Sequence, residues 1–218
     1  DSKMMDLWHG SIHEFLNEIN AGSLSKKMLS QFYQYHNHNP SPSEVHSWNN
    51  SLPNLAKAIQ KNADKDIGII LEYHFPYSGF RIDTLFFGLD RFNNRSAIVV
   101  ELKQWSNVDL IDEYSMNVLV NGYEHLHPSQ QSLEYSNHLA EIQSSIVDYK
   151  IRLKSASYCH NLSPNSHLEH PRFHELVSKC PVFNKKNRSH FSDFLTESVG
   201  FGNGVQIMDE FIKGYFKP

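Results

Sequence analysis

Three residues in the middle of the chain carry side chains that metal-assisted phosphate hydrolysis needs. Asp83 lies in GFRIDTLFFG (79–88), and Glu101 and Lys103 lie in VVELKQW (99–105). Side chains alternate faces along a strand, so Glu101 and Lys103 point one way and Leu102 into the opposite layer. Antiparallel pairing through a turn at Arg91–Asn94 brings Asp83 beside Glu101. Two carboxylates at one point repel and raise each other's pKa unless a cation neutralises them. Hard divalent cations prefer oxygen ligands. A lysine beside such a pair can orient or help deprotonate a water and steady charge building on a phosphate. The chemistry expected is phosphodiester hydrolysis with Mg²⁺ or Mn²⁺. Taken alone, Glu-x-Lys is an ordinary exposed pair at a strand end. Here it ends the apolar run Ala97–Val100, and an Asp stands one strand earlier, after a Pro/Gly turn.

A third element is HPSQQSLEY (127–135), where Gln131 and Tyr135 share a helix face at i, i+4. An amphipathic helix with one polar and one aromatic residue there is equally ordinary. Trp105 directly follows Gln104 and reads either as a base-stacking ring or as core. Arg81, Arg91 and the NKKNR segment with Lys185, Lys186 and Arg188 are candidate phosphate contacts, or a solvated face. The fourteen histidines cluster at His36 and His38, at His125 and His127, and at His167, His170 and His174. None is paired with Cys or acid at zinc-like spacing, and exposed loop histidines are expected.

The elements that must position these groups follow from periodicity. Residues 5–34 read as helices, with Gly22 separating two units. HNHNPSPS (36–43) is a loop, Ser43 a helix N-cap, and 44–61 a helix that Pro53 should kink or split. Strands follow at 67–75, 80–89 and 96–105. Residues 106–127 read as irregular, with a hairpin around Asn117–Tyr123. A helix runs from His127 to about Tyr149, and a fourth strand from Ile151 to Tyr158. Short helices near 172–179 and 189–199, a turn at 200–204 and a last helix over 205–215 complete the chain. This is an α/β pattern with an antiparallel front and a crossover to the fourth strand. Three segments are expected: a helical extension (1–42), a core (43–160) and a helical and loop extension (161–218).

Composition bounds the reading. A chain of 218 residues can bury one sizeable core. The net charge of −4 does not announce a polyanion binder. Cys159 and Cys180 form no CxxC pair, so free thiols and a reducing cytoplasm are expected. No apolar run approaches the ~20 residues that span a bilayer. The first residue is Asp1 rather than Met, and the chain is expected to be a fragment.

These residues resemble the PD-(D/E)xK nucleases, which carry an Asp on one strand, (D/E)xK on the next and an acidic residue on the preceding helix. Asp83 and Glu101-Leu102-Lys103 match that pattern. Gln131 and Tyr135 match the QxxxY of the RecB-type branch. Gly79 precedes Asp83 by four residues, where that branch often shows GxxD. More narrowly, SEVHSWNNSLPNL (43–55), EYHFPYSGFRID (72–83), VVELKQWS (99–106), HPSQQSLEY (127–135), SYCHNL (157–162) and CPVF (180–183) are similar to the N-terminal region of large bacterial proteins. Those proteins join such a domain to a Schlafen-group DNA/RNA helicase-like ATPase. No GxxxxGK[ST] occurs here, so such an ATPase would be fused elsewhere or separate.

The resemblance implies a restriction-endonuclease-like α-β-β-β-α-β core and a Mg²⁺-dependent nuclease, acting on DNA more than RNA, with a role in bacterial defence. It implies that Asp83, Glu101 and the Leu102 carbonyl ligate metal and that Lys103 positions the attacking water. Glu44 would be the helix acid, reaching metal directly or through water, while Gln131 and Tyr135 hold substrate or Lys103. Glu72 is a weaker candidate. The alternatives are a nuclease-like module of weak or no activity that binds nucleic acid or a partner ATPase, and an α/β domain with another hydrolytic role.

Overall fold

The structure, a computed structural model, describes residues 5–76, 78–112, 114–215 and 217. Its centre is a six-stranded mixed sheet flanked by helices. Strands β1 (Met5–Ser11), β2 (Gly68–His74), β3 (Arg81–Leu89) and β4 (Arg95–Lys103) pair antiparallel in chain order. A small three-stranded sheet comes next, made of β5 (Asp109–Leu110), β6 (Asn117–Val120) and β7 (Tyr123–Leu126). The central sheet then continues with β8 (Arg152–Cys159), parallel to β4, and β9 (Val182–Phe183), parallel to β8.

Helices cover both faces. On one lie α1 (Ile12–Ala21), α2 (Leu24–His36), α3 (Pro42–Ile59) and α7 (Arg188–Val199), around a core that includes Phe15, Leu55, Leu71, Phe86, Val100 and Phe191. On the other lie α4 (Pro128–Ile142), α5 (Ser144–Asp148) and α8 (Gly204–Ile212), over Ile70, Tyr73, Ile82, Leu85, Val99 and Phe211. The remaining α-helix, α6 (His174–Lys179), packs with the small sheet in a third cluster. Ala97, Ile98, Val99 and Val100 are all fully buried, as a central strand covered on both faces requires. Among the described residues, no helix is long and apolar enough to cross a membrane. Cys159 and Cys180 are free and buried.

Several expectations are corrected. Residues 5–11 form β1 rather than the start of a helix. Ser11 and Glu14 make a reciprocal capping box that starts α1 at Ile12, so the residues before it are free to pair with β2. The longer helix is capped by Ser41, not Ser43, with Pro42 in its first turn and Glu44 completing the box. Pro53 does not split α3. It removes only the hydrogen bond that would reach the Asn49 carbonyl, and Leu52, Leu55, Ala56 and Ile59 are buried around it. The expected helix 127–149 breaks at Gln143, whose backbone is extended and whose Nε2 donates to the Tyr73 hydroxyl at 3.0 Å. The stretch 106–127 is more ordered than expected. Its β6–β7 turn is Asn121-Gly122, both at positive φ (52° and 83°), as a tight hairpin demands. His127 is fully buried, against the expectation of loop histidines. Its Nδ1 accepts from Ser129 N (3.0 Å) and its Nε2 reaches the Leu168 carbonyl (2.9 Å).

The last turn of α7 seats directly on β3. A Cβ added at Gly88 would overlap the Val199 carbonyl. Both sides of that contact are backbone, which cannot rotate away. Gly88→Ala is therefore expected to cost on the order of 3 kcal/mol in urea denaturation, while a Gly→Ala change in an open turn such as Gly122 would instead suffer only from its positive φ.

Candidate active-site cleft

The site forms where β3 begins and β4 ends. The pairing Thr84↔Val100 puts Asp83 next to Glu101, and Asp83 Oδ2 accepts from the Leu102 backbone N–H at 2.9 Å. The aspartate thus occupies a ladder bond where the two strands separate. Glu101 is 2 % exposed, and its Oε1 is buried with no hydrogen-bond partner among the described residues. Leu102 turns away from Glu101 and packs on the α3 face.

Strict alternation does not hold on the neighbouring strands. Leu71 packs on the α3 face but Tyr73 on the opposite one, and Ile82 and Leu85 share a face. The reversal falls at Glu72 and Asp83, which lie opposite each other between the pairs Leu71↔Thr84 and Tyr73↔Ile82. Glu72 makes it by adopting φ 53° in mid-strand, a left-handed conformation that costs about 1–3 kcal/mol for a residue with a side chain. Its carboxylate is held by Trp48 Nε1 at 3.0 Å, and His74 Nε2 lies at 3.4 Å.

The electrostatics follow from this packing. Burial raises the Asp83 carboxyl to about 6, and the Glu72 charge adds to the shift, while Lys103 and the Leu102 N–H oppose it. Burial and then the Asp83 charge push Glu101 well above the usual carboxylate range, again against Lys103. The pair holds charge poorly unless a cation is supplied.

Asp83, Glu101, Leu102 and Lys103 line an open cleft of about 460 Å³, together with Arg81, Trp105, Gln131 and Tyr135. Ser47, Gly79 and Gln104 complete it. Lys103 Nζ stands 5.1 Å from the centre of the Trp105 ring. Gln131 Nε2 donates to the Tyr135 hydroxyl at 3.1 Å. Helix α4 brings both residues to the cleft because its buried side is made of small polar residues. Ser132 Oγ donates to the Val99 carbonyl (3.0 Å) and Ser129 Oγ to the Cys180 carbonyl (2.8 Å), so the helix sits close on the sheet.

The other candidates lie elsewhere. Glu44 does not line the cleft. Its carboxylate accepts from Ser41 N at 3.2 Å and pairs with Arg81, which does. Arg91 pairs with Glu197 at 3.4 Å. Lys185, Lys186 and Arg188 are exposed in the loop between β9 and α7 and at the start of α7, outside the cleft lining. Ser47 and the ring of Phe80 beside Gly79 were not singled out by sequence. Serine on a helix and phenylalanine after a turn carry no signal of their own.

Whether these residues suit a divalent cation turns on their donors. Two adjacent carboxylates, half-buried Asp83 and buried Glu101 with its orphaned oxygen, fit a hard cation. Among the described residues, no group of three or more His, Cys, Asp and Glu side chains is arranged to hold a metal, so the remaining ligands would be backbone carbonyl and water. No protein-family model matches the sequence, and no curated protein or solved structure matches the chain.

Proposed function

We propose that the chain is a metal-dependent nuclease that hydrolyses nucleic-acid phosphodiester bonds, DNA more than RNA, and that its core is restriction-endonuclease-like. The observation that carries this reading is half-buried Asp83 beside fully buried Glu101, whose Oε1 has no partner among the described residues, with Lys103 two residues on, in an open cleft. The order α3, β2, β3, β4, α4, β8 supports the core assignment, since it follows α-β-β-β-α-β apart from the inserted small sheet and α5.

Asp83, Glu101 and the Leu102 carbonyl would hold Mg²⁺ or Mn²⁺. Such an ion, when bound, polarises the phosphate and lowers the pKa of a water. Lys103 orients the attacking water and places its ammonium against the charge developing on the phosphoryl oxygens. The Trp105 ring backs Lys103, and Gln131 and Tyr135 border the same space to hold substrate. Glu44 fixes Arg81 at the rim, where its guanidinium can meet a phosphate.

The test is incubation of labelled linear, circular and single-stranded DNA and of RNA with Mg²⁺, Mn²⁺ or EDTA. Metal-dependent cutting is expected. A second reading, a weakly active or inactive module that binds nucleic acid or a fused or separate helicase-like ATPase, is favoured by the two-carboxylate donor set and the net charge of −4. Binding of substrate without cutting in any metal would select it.

A further inference from the structure

The cleft carries little positive charge for a site offered to a polyanion. Among its lining residues that the structure describes, Arg81 and Lys103 are the cations, Asp83 and Glu101 are their equal in number, and Arg81 is already paired with Glu44. Proteins that hold a duplex by its phosphates use many more cations and show steep salt dependence. What the cleft has instead is two aromatic rings in its lining, Trp105 and Tyr135. Trp105 lies along one wall, 5.2 Å from His125 between ring centres. Phe80 lies outside the lining itself, between lining Gly79 and Arg81, and its ring stands 5.6 Å from Tyr135 and 5.3 Å from His138.

Phe80 is 45 % exposed, and its ring stands edge-on to buried Phe75 at 6.4 Å between centres. Its backbone is fixed by the turn before β3, where Phe75 N donates to its carbonyl at 3.0 Å. A duplex hides the faces of its bases, and only an unpaired strand offers them to such rings. Every base has a π-face, so stacking of this kind is indifferent to sequence.

We infer that the substrate of this cleft is an unpaired nucleic-acid strand, gripped by stacking of its bases on Phe80 and Trp105 rather than by phosphate neutralisation. This rests on the nuclease reading for what happens next, but not for binding itself. The ribose or deoxyribose is not distinguished by stacking, so single-stranded DNA and RNA are one chemistry for this purpose.

The test is fluorescence anisotropy with the full chain in Ca²⁺, using labelled oligonucleotides of roughly 12 nucleotides as single-stranded DNA, single-stranded RNA and blunt duplex. Single strands are expected to bind at least about tenfold tighter than duplex. Phe80→Ala should weaken them about 5- to 150-fold, the range of one lost stacking contact, and Phe80→Trp should restore binding. Since Phe80 is exposed, neither change should alter the circular dichroism spectrum. The slope of log affinity against log salt should be no steeper than about −1.4, as two cations allow.

Preference for one sugar would identify which source supplies the strand, and either preference supports the inference. Equal or tighter duplex binding, no binding of single strands, or Phe80→Ala binding at the parent affinity would overturn it. Single strands held through Phe80 but never cut would leave the substrate class standing and remove the nuclease reading. Duplex cut at a rate that Phe80→Ala leaves unchanged would do the reverse.

Discussion

Lys103→Ala is expected to lower metal-dependent cleavage by about 10²–10⁴-fold, the usual contribution of a positioned proton-transfer or charge-stabilising group. The ammonium lines the cleft with Asp83 and Glu101, and on the proposed reading it orients the attacking water. Its aliphatic stem lies along the cleft wall, so removing it opens no core cavity. Lys103→Arg should rescue poorly, because a planar, permanently charged guanidinium neither replaces a compact ammonium nor accepts a proton. Single-turnover rates in Mg²⁺ or Mn²⁺ give the readout, with the melting temperature in the same buffer as the control for folding. Cleavage by Lys103→Ala at the parent rate would show that the site is wrongly assigned.

Glu101→Gln is expected to move activity and stability in opposite directions. In the metal-free protein Asp83 and Glu101 bind protons more tightly when folded than when unfolded, because burial disfavours ionisation of both, with the Glu72 charge adding at Asp83 and the Asp83 charge at Glu101. The stability they contribute is therefore fully present below about pH 3.8, the ordinary Asp value, and is lost as the pH rises through about 6 and beyond. Glutamine removes one of the two charges and gives Asp83 an amide donor in place of a repelling oxygen.

At pH 7.5 without metal, Glu101→Gln should melt roughly 2–8 °C above the parent, for a gain on the order of 1–2 kcal/mol. The fall in stability between pH 4 and 7 should flatten with it. Mg²⁺ should raise the parent's melting temperature at pH 7.5, by about 2.7 kcal/mol of stability at a hundredfold excess over Kd. It should do little at pH 5, where protons compete, and little for Glu101→Gln at either pH. A variant that melts lower than the parent at neutral pH would mean that Glu101 is a structural acid satisfied within the fold.

The central strands were legible in the sequence because their apolar runs are long and bounded by turns. Ile69–Leu71, Leu85–Phe87 and Ala97–Val100 are buried as those runs require. The antiparallel register that sets Asp83 beside Glu101 followed from the short turn between β3 and β4. What was not legible depended on partners far along the chain. Met5–Ser11 is a strand because β2 offers an edge, and its own spacing is compatible with a helix. The reversal at Glu72 was hidden for a related reason. Nothing local to EYHF marks a left-handed glutamate, which is held by Trp48 from α3. Glu44 sits where a helix acid was expected, yet Ser41 and Arg81 occupy it, and only the folded chain shows which charges meet. His127 looked like one of many loop histidines, and the Leu168 carbonyl that buries its ring comes from 41 residues away.

The most direct measurement is the initial rate of phosphodiester cleavage in Mn²⁺ by the parent, Asp83→Asn and Glu101→Gln, purified side by side. Single-stranded and duplex substrates should both be offered, with EDTA as the blank. Cutting by the parent that disappears in EDTA and in both variants, while all three proteins remain folded, is the predicted result. Cutting that persists in either variant, or a folded parent that cuts neither substrate, would contradict the assignment of Asp83 and Glu101 as the metal-binding pair of a nuclease.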